Sequence, residues 1–206
     1  MIARHRTFAL IAAIAALPLS ACTTARPAGP IEVTRFVAPD SRAQLGDTTL
    51  RVETAPGSAE QGLAMLPYTE AVARELSTFG YAENARPAAR QVASVSVERE
   101  QLTEGGRRSP VSVGAGGSAG SYGSGVGLGV GINLGGGADE RVITRLSVSL
   151  RDVTSGTVLW EGRARLDAPV GSRLAQNDAA AAALAEALFR GFPGNSGETI
   201  EVEVNP

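Results

Sequence analysis

Between Arg141 and Leu166 the chain alternates so strictly that one strand pairing is favoured over its neighbours. In Arg141 to Asp152, Val142, Leu146, Val148 and Leu150 share one face, opposite Arg145, Ser147, Ser149 and Arg151. In Thr157 to Leu166, Val158, Trp160, Gly162, Ala164 and Leu166 share a face, opposite Glu161, Arg163 and Arg165. Successive side chains of a strand point to opposite sides, so a slip of one residue would turn an entire apolar set to water. A two-residue loop at Ser155-Gly156 would set Leu150 against Glu161. A three-residue loop, Thr154-Ser155-Gly156, restores even against even and supplies Gly where a left-handed residue is needed. The expected register therefore puts Leu150 across from Trp160 and Ser149 across from Glu161.

Other segments read by the same rules. Ile31 to Val37 and Thr48 to Glu53 are short β-branched runs, separated by Pro39-Asp40 and Gly46-Asp47, and are expected as strands. Met65, Tyr68, Val72, Leu76 and Phe79 recur at helical spacing, with Pro67 to start the helix and Gly80 to stop it. Tyr81 falls where it can touch back on Leu76. Val92 to Arg99 alternates as a half-buried strand. Ser172 to Arg190 is an Ala-rich second helix with Ala181, Leu184, Leu188 and Phe189 on its apolar side, ended by Gly191, Phe192 and Pro193. Thr199 to Val204 is either an edge strand or a frayed tail.

The amino-terminus carries an address. Arg4, His5 and Arg6 precede an apolar run, Phe8 to Leu19, with Pro18 near its end. A spanning helix needs about 20 apolar residues, so this run fits a secretory signal instead. It closes on Leu19-Ser20-Ala21-Cys22, which resembles the bacterial lipoprotein signal, in which the thiol receives a diacylglycerol and becomes the new amino-terminus. Several acyl chains, at about 0.8 kcal/mol per buried methylene, hold a protein at a bilayer where one chain does so only marginally. Thr23 stands where Asp would imply retention in the inner membrane, so the resemblance implies the outer membrane and its periplasmic face. Residues 1–21 are then the signal peptide, and residues 22–30, with Pro27, Gly29 and Pro30, an acylated tether.

This anchor narrows the chemistry. The one His is His5 and the one Cys is Cys22, so the processed chain has no imidazole and no free thiol. Zinc sites with His or Cys ligands and triads built on His need groups it lacks. All 19 basic residues are Arg, which removes lysine chemistry as well. The formal net charge of −2, with no dominant basic patch, argues against nucleic acid as a partner. No cofactor and no metal is expected. A hydrolase working with carboxylates alone would need two acids roughly 5 to 10 Å apart across a cleft; Glu98, Glu100, Asp139 and Glu140 are its candidates.

Residues 110–137 contain twelve Gly in 28 positions. Gly125 to Leu134 sets Val126, Leu128, Val130, Ile132 and Leu134 at every even position, with Gly or Asn between them. No Gly spacing here fits a phosphate-cradling loop. The segment is either a loose hairpin projecting from the sheet or an apolar stripe that meets lipid or a neighbouring subunit.

The order of elements, the Phe79-Gly80-Tyr81 helix ending, the Gly-rich run and the pattern Asp152, Gly156, Trp160, Gly162 together resemble the bacterial outer-membrane lipoproteins grouped as domain of unknown function 4136. That resemblance implies an α+β sandwich at the outer membrane and no established activity. Asp152 and Trp160 read as structural, a turn cap and a core residue, before they read as functional. The expectation is one two-layer α+β domain over residues 31–192, with the Gly-rich insertion at 110–137 and a tail or edge strand at 193–206. Its antiparallel sheet would have four to six strands, with two helices on one face. Its expected role is non-catalytic: envelope structure or protein interaction, through a protein partner or self-association. The alternative is an oligomeric assembly using the Gly-rich segment.

Overall fold

The computed structural model describes residues 27–83, 89–103 and 140–204. Seven strands form one sheet: β1 (Ile31–Val37), β2 (Thr49–Thr54), β3 (Ala82–Glu83), β4 (Gln91–Thr103), β5 (Glu140–Asp152), β6 (Val158–Pro169) and β7 (Thr199–Val202). Two helices, α1 (Leu66–Ser77) and α2 (Asn177–Phe189), accompany them, with short 3-10 turns at Arg42–Gln44, Gly62–Met65 and Arg173–Ala175.

The sheet corrects the expectation of four to six antiparallel strands. Among the described residues it has seven, in the order β3-β2-β4-β5-β6-β1-β7, and it is mixed. β2 runs parallel to both β3 and β4, while β4–β5, β5–β6, β6–β1 and β1–β7 are antiparallel. The cause lies in the connections. A chain that leaves β2 through a helix and re-enters the sheet beside it arrives parallel, whereas the short β5–β6 turn returns the chain antiparallel. β1 and β2, adjacent in sequence, are separated by three strands, because β1 takes β6 and β7 as its neighbours.

One face of the sheet is apolar. Ile31, Val33, Ala93, Val95, Val97, Leu146, Val148, Leu150, Trp160, Ala164 and Leu166 are buried there beneath both helices. α1 contributes Tyr68, Ala71, Val72 and Leu76, and ends as its sequence predicts. Gly80 adopts φ +83°, and the Tyr81 N–H donates to the Leu76 carbonyl at 3.4 Å. α2 buries Ala180, Ala181, Ala185 and Ala187 besides Leu184, Leu188 and Phe189; small side chains on so many sides let it lie close to α1 and the sheet together. β7 settles Thr199 onward as an edge strand on β1.

Arg99 ties the layers at one end. Its guanidinium donates to the Tyr68 hydroxyl at 3.1 Å, to the Asn177 side-chain carbonyl and to the Ala175 carbonyl at 2.6 Å, joining β4 to the starts of both helices.

Candidate functional site

The hairpin pattern is resolved residue by residue. Asp152 Oδ1 accepts from the Thr154 N–H at 3.0 Å, the Ser155 N–H at 2.8 Å and the Ser155 hydroxyl at 2.9 Å. Gly156 takes φ +70° and its N–H donates to the Asp152 carbonyl at 3.0 Å. The Asp152 N–H in turn donates to the Thr157 carbonyl at 3.0 Å, so the loop is four residues, Val153 to Gly156, and not the expected three. The expected register survives: Leu150 faces Trp160 and Ser149 faces Glu161. An extra residue, Leu159, reconciles the two, because pairing shifts by one between Leu150 and Arg151. A bulge of this kind places two consecutive side chains, Leu159 and Trp160, in buried positions.

Trp160 is fully buried. Its ring stacks on Phe189 at 5.4 Å and meets Phe192 edge-on at 5.3 Å, and its Nε1–H donates to the Pro193 carbonyl at 2.9 Å. Gly162 supplies the space: a Cβ there would stand 2.2 Å from a ring carbon of Trp160 and 2.7 Å from Leu188 Cδ1. Asp152, Gly156, Trp160 and Gly162 thus serve one turn and one indole. Hydrogen bonds from the Ser155 backbone and hydroxyl hold the Asp152 carboxyl below its ordinary pKa. A depressed carboxyl contributes stability that is present above its unfolded pKa and is lost as pH falls through the folded one. Asp152→Asn should therefore lose part of the acid-side slope of stability below roughly pH 4 and lower the urea midpoint at neutral pH. Urea titrations across that range check it; an unchanged slope would remove the carboxylate from the turn.

Arg35 is the residue that sequence reading passed over. Strand alternation places it among Ile31, Val33 and Val37, on the core face, and it is 4 % exposed. Its Nε donates to the Leu188 carbonyl at 3.0 Å and its Nη2 to the Ala187 carbonyl at 3.2 Å, so it caps the end of α2. A cation there answers both the open carbonyls and the negative end of the helix dipole. Burial lowers its pKa and the nearby Glu198 opposes that shift. Gly194, at φ +75°, clears space for it, since a Cβ would lie 2.9 Å from the Arg35 side chain. A charged residue on an otherwise apolar strand face was the available signal.

The candidate acids do not converge on a cleft. Glu98 and Glu100 are exposed on the outer sheet face and share Arg145, at 4.0 and 3.5 Å. Glu140 is exposed at the start of β5, and Asp139 lies outside the described residues. The same face continues as Glu32–Arg165–Asp167, at 3.6 and 3.7 Å, with Arg141 also on Asp167. The exposed pairs, those of Arg145 with Glu98 and Glu100, contribute about 0.2–1 kcal/mol each. Among the described residues the one carboxyl pushed up is Glu75 on α1, by burial and by Glu186 of α2, with Arg74 opposing. No group of three metal-ligating side chains occurs among the described residues.

Among the described residues, β3 pairs with Thr49 and Leu50 at one edge of the sheet. Between that edge and α1 lies a groove of about 280 Å³, lined by Leu50, Val52, Ala73, Ser77 and Tyr81, with Glu70, Arg74 and Glu83 around it.

Cys22 and the Gly-rich insertion at 110–137 lie outside the described residues. No described helix is long and apolar enough to cross a membrane.

No family model matches the chain, and no curated protein does. Solved structures do. A PDZ domain protein from Parabacteroides distasonis aligns with a TM-score of 0.50 at 13 % identity, over 84 % of this chain and 38 % of that one; the likeness is one of fold. Two structures of a PelC dodecamer from Paraburkholderia phytofirmans, one of them a variant, align with TM-scores of 0.46 and 0.45. Each is 17 % identical and is matched over 77 % of this chain and 94 % of its own.

Proposed function

We propose that this chain is a lipid-anchored protein of the outer membrane, facing the periplasm, whose role is envelope structure or protein interaction and not catalysis. The observation that carries the reading is Leu19-Ser20-Ala21-Cys22 at the end of a short apolar run behind a basic head. The resemblance to the lipoproteins of domain of unknown function 4136 agrees with it. Asp152, Trp160 and Arg35 hold the turn, the core and the end of α2, and Gly162 makes room for the indole.

Cys22→Ala tests the anchor. The variant should move almost entirely from the membrane fraction to the soluble periplasmic fraction, with the circular dichroism and Tm of the folded domain unchanged. Retention in the membrane fraction would overturn the reading.

Self-association is the second reading: β7 lies at an edge of the sheet on β1, and an edge presents N–H and C=O groups to which another chain can pair, although a strand of four residues limits that pairing.

A further inference from the structure

The pairing of β1 fixes which main-chain groups of β7 are engaged. The Gly197 N–H donates to the Arg35 carbonyl at 2.8 Å, and the Arg35 N–H to the Glu198 carbonyl at 3.3 Å. Bonded residues alternate along an antiparallel pair, so Val33 and Ile31 also turn their groups to β7, against Ile200 and Val202. The N–H and C=O groups of Thr199 and Glu201 therefore point away from β1, and no main-chain bond engages them among the described residues. The same edge carries an unbalanced charge. Glu201 stands directly opposite Glu32. Arg165, the cation beside Glu32 at 3.6 Å, is shared with Asp167 at 3.7 Å, and Glu203, two residues on, is exposed as well. Like charges directly opposed across two strands cost stability. A charge that served only to keep the edge from pairing could as well be Arg, which would also bond Glu32. On the helix side, Val202 belongs to the core and Ile200 and Val204 pack against it. There a groove of about 140 Å³ lies between β7 and α2, with Val202 and Val204 on one side and Ala183 and Ala187 on the other. At its rim Arg190 is bonded to Glu186 at 3.0 Å, which leaves Glu203 as the charge without a counterpart.

We propose that the edge at Thr199–Val202 binds an extended segment of a partner protein as an added strand, and that this segment alternates Arg or Lys with aliphatic residues. Its main chain bonds to the outward groups of Thr199 and Glu201. Its basic side chains fall on the open face beside Glu201, where they offset the opposed carboxylates. Its aliphatic side chains fall on the helix side, against Ile200, Val202 and the groove beside α2. Because two residues alone offer outward groups, the carboxylates and the groove carry the choice of partner. A second copy of β7 would bring further carboxylates to this edge, so charge favours a basic segment over self-pairing. The proposal rests on the protein-interaction reading above and names the site and the partner chemistry for it.

The test uses the full-length acylated protein in a non-ionic detergent and two blocked octapeptides, one alternating Arg and Val, the other Glu and Val. Hydrogen exchange of the free protein should show slow amides at Ile200 and Val202 and fast ones at Thr199 and Glu201. Saturating Arg–Val peptide should slow the second pair at least tenfold. Glu201→Arg should weaken that peptide at least tenfold and let the Glu–Val peptide bind in its place, with the fold kept because the new cation faces Glu32. Thr199→Pro removes an outward N–H, keeps the carboxylate and should weaken the Arg–Val peptide at least threefold. If Thr199→Pro does not fold, Glu201→Arg decides, since it leaves the main chain untouched. Equal binding of the two peptides by the parent would overturn the proposal, as would slowing confined to amides away from β7. So would the absence of saturable Arg–Val binding up to about 1 mM, the weak end of specific recognition. Slow exchange at Thr199 and Glu201 in the free protein would also overturn it, assigning the edge to a second copy if dilution relieves it and to the chain's own backbone if not. Fractionation of Cys22→Ala is unaffected by any of these results, so failure of the edge and failure of the anchor are read separately.

Discussion

Gly162→Ala should be among the most damaging single-methyl changes in the domain. The new Cβ would stand 2.2 Å from the Trp160 ring and 2.7 Å from Leu188 Cδ1. The indole cannot move aside, because Phe189 stacks on it, Phe192 abuts it and its N–H is bonded to the Pro193 carbonyl. Overpacking a well-filled core costs about 1–3 kcal/mol and sometimes more, and a rigid neighbour places this site at about 3 kcal/mol or above. For a chain of this length that is a fall in Tm of roughly 6–12 °C. Thermal unfolding measures it, and a thermodynamic cycle identifies the cause. In a Trp160→Leu background the same methyl should cost far less, because residues in contact do not add. Equal costs in the two backgrounds would show that the indole is not what excludes the methyl.

Arg35→Met should destabilise the domain by about 2–4 kcal/mol, as expected when one partner of a buried, hydrogen-bonded charge is removed. Methionine keeps an unbranched apolar stem but leaves the Ala187 and Leu188 carbonyls without their donors and leaves Glu198 without the cation beside it. Arg35→Lys should fall between the two, since an ammonium keeps the charge but not the planar fork that reaches two carbonyls. Urea unfolding checks the order Arg, Lys, Met. A Met variant as stable as the parent would mean that apolar packing offsets the lost cap. Because Arg35 also bonds through its backbone to Gly197 and Glu198, the Met variant should loosen the segment from Pro193 to Glu198 first, seen as faster amide exchange there.

Both helices and the strands other than β3 and β7 were legible because their period is carried by local sequence. The face of Leu146, Val148 and Leu150 could be matched to that of Trp160 and Ala164, and the register followed. The loop count did not follow, because Leu159 inserts without breaking the pattern on either side: Val158 and Leu159 are both apolar, and alternation cannot say which is extra. Sheet order was not legible for a related reason. Ile31 to Val37 would suit several neighbours, and its pairing with β6 and β7 joins it to residues more than 120 positions away. Arg35 was visible as an anomaly in an apolar alternation, but its partners lie more than 150 residues away, and no local pattern names them.

By itself the sequence determined β1, β2, β4, β5, β6, both helices and the hairpin register, since each depends on residues within one short stretch. Tertiary structure alone decided that the sheet is mixed and, among the described residues, seven strands wide, and that Arg35 caps α2. Those follow from which strand becomes whose neighbour. That choice is settled by burying many weakly specific apolar faces together, so no single segment encodes it.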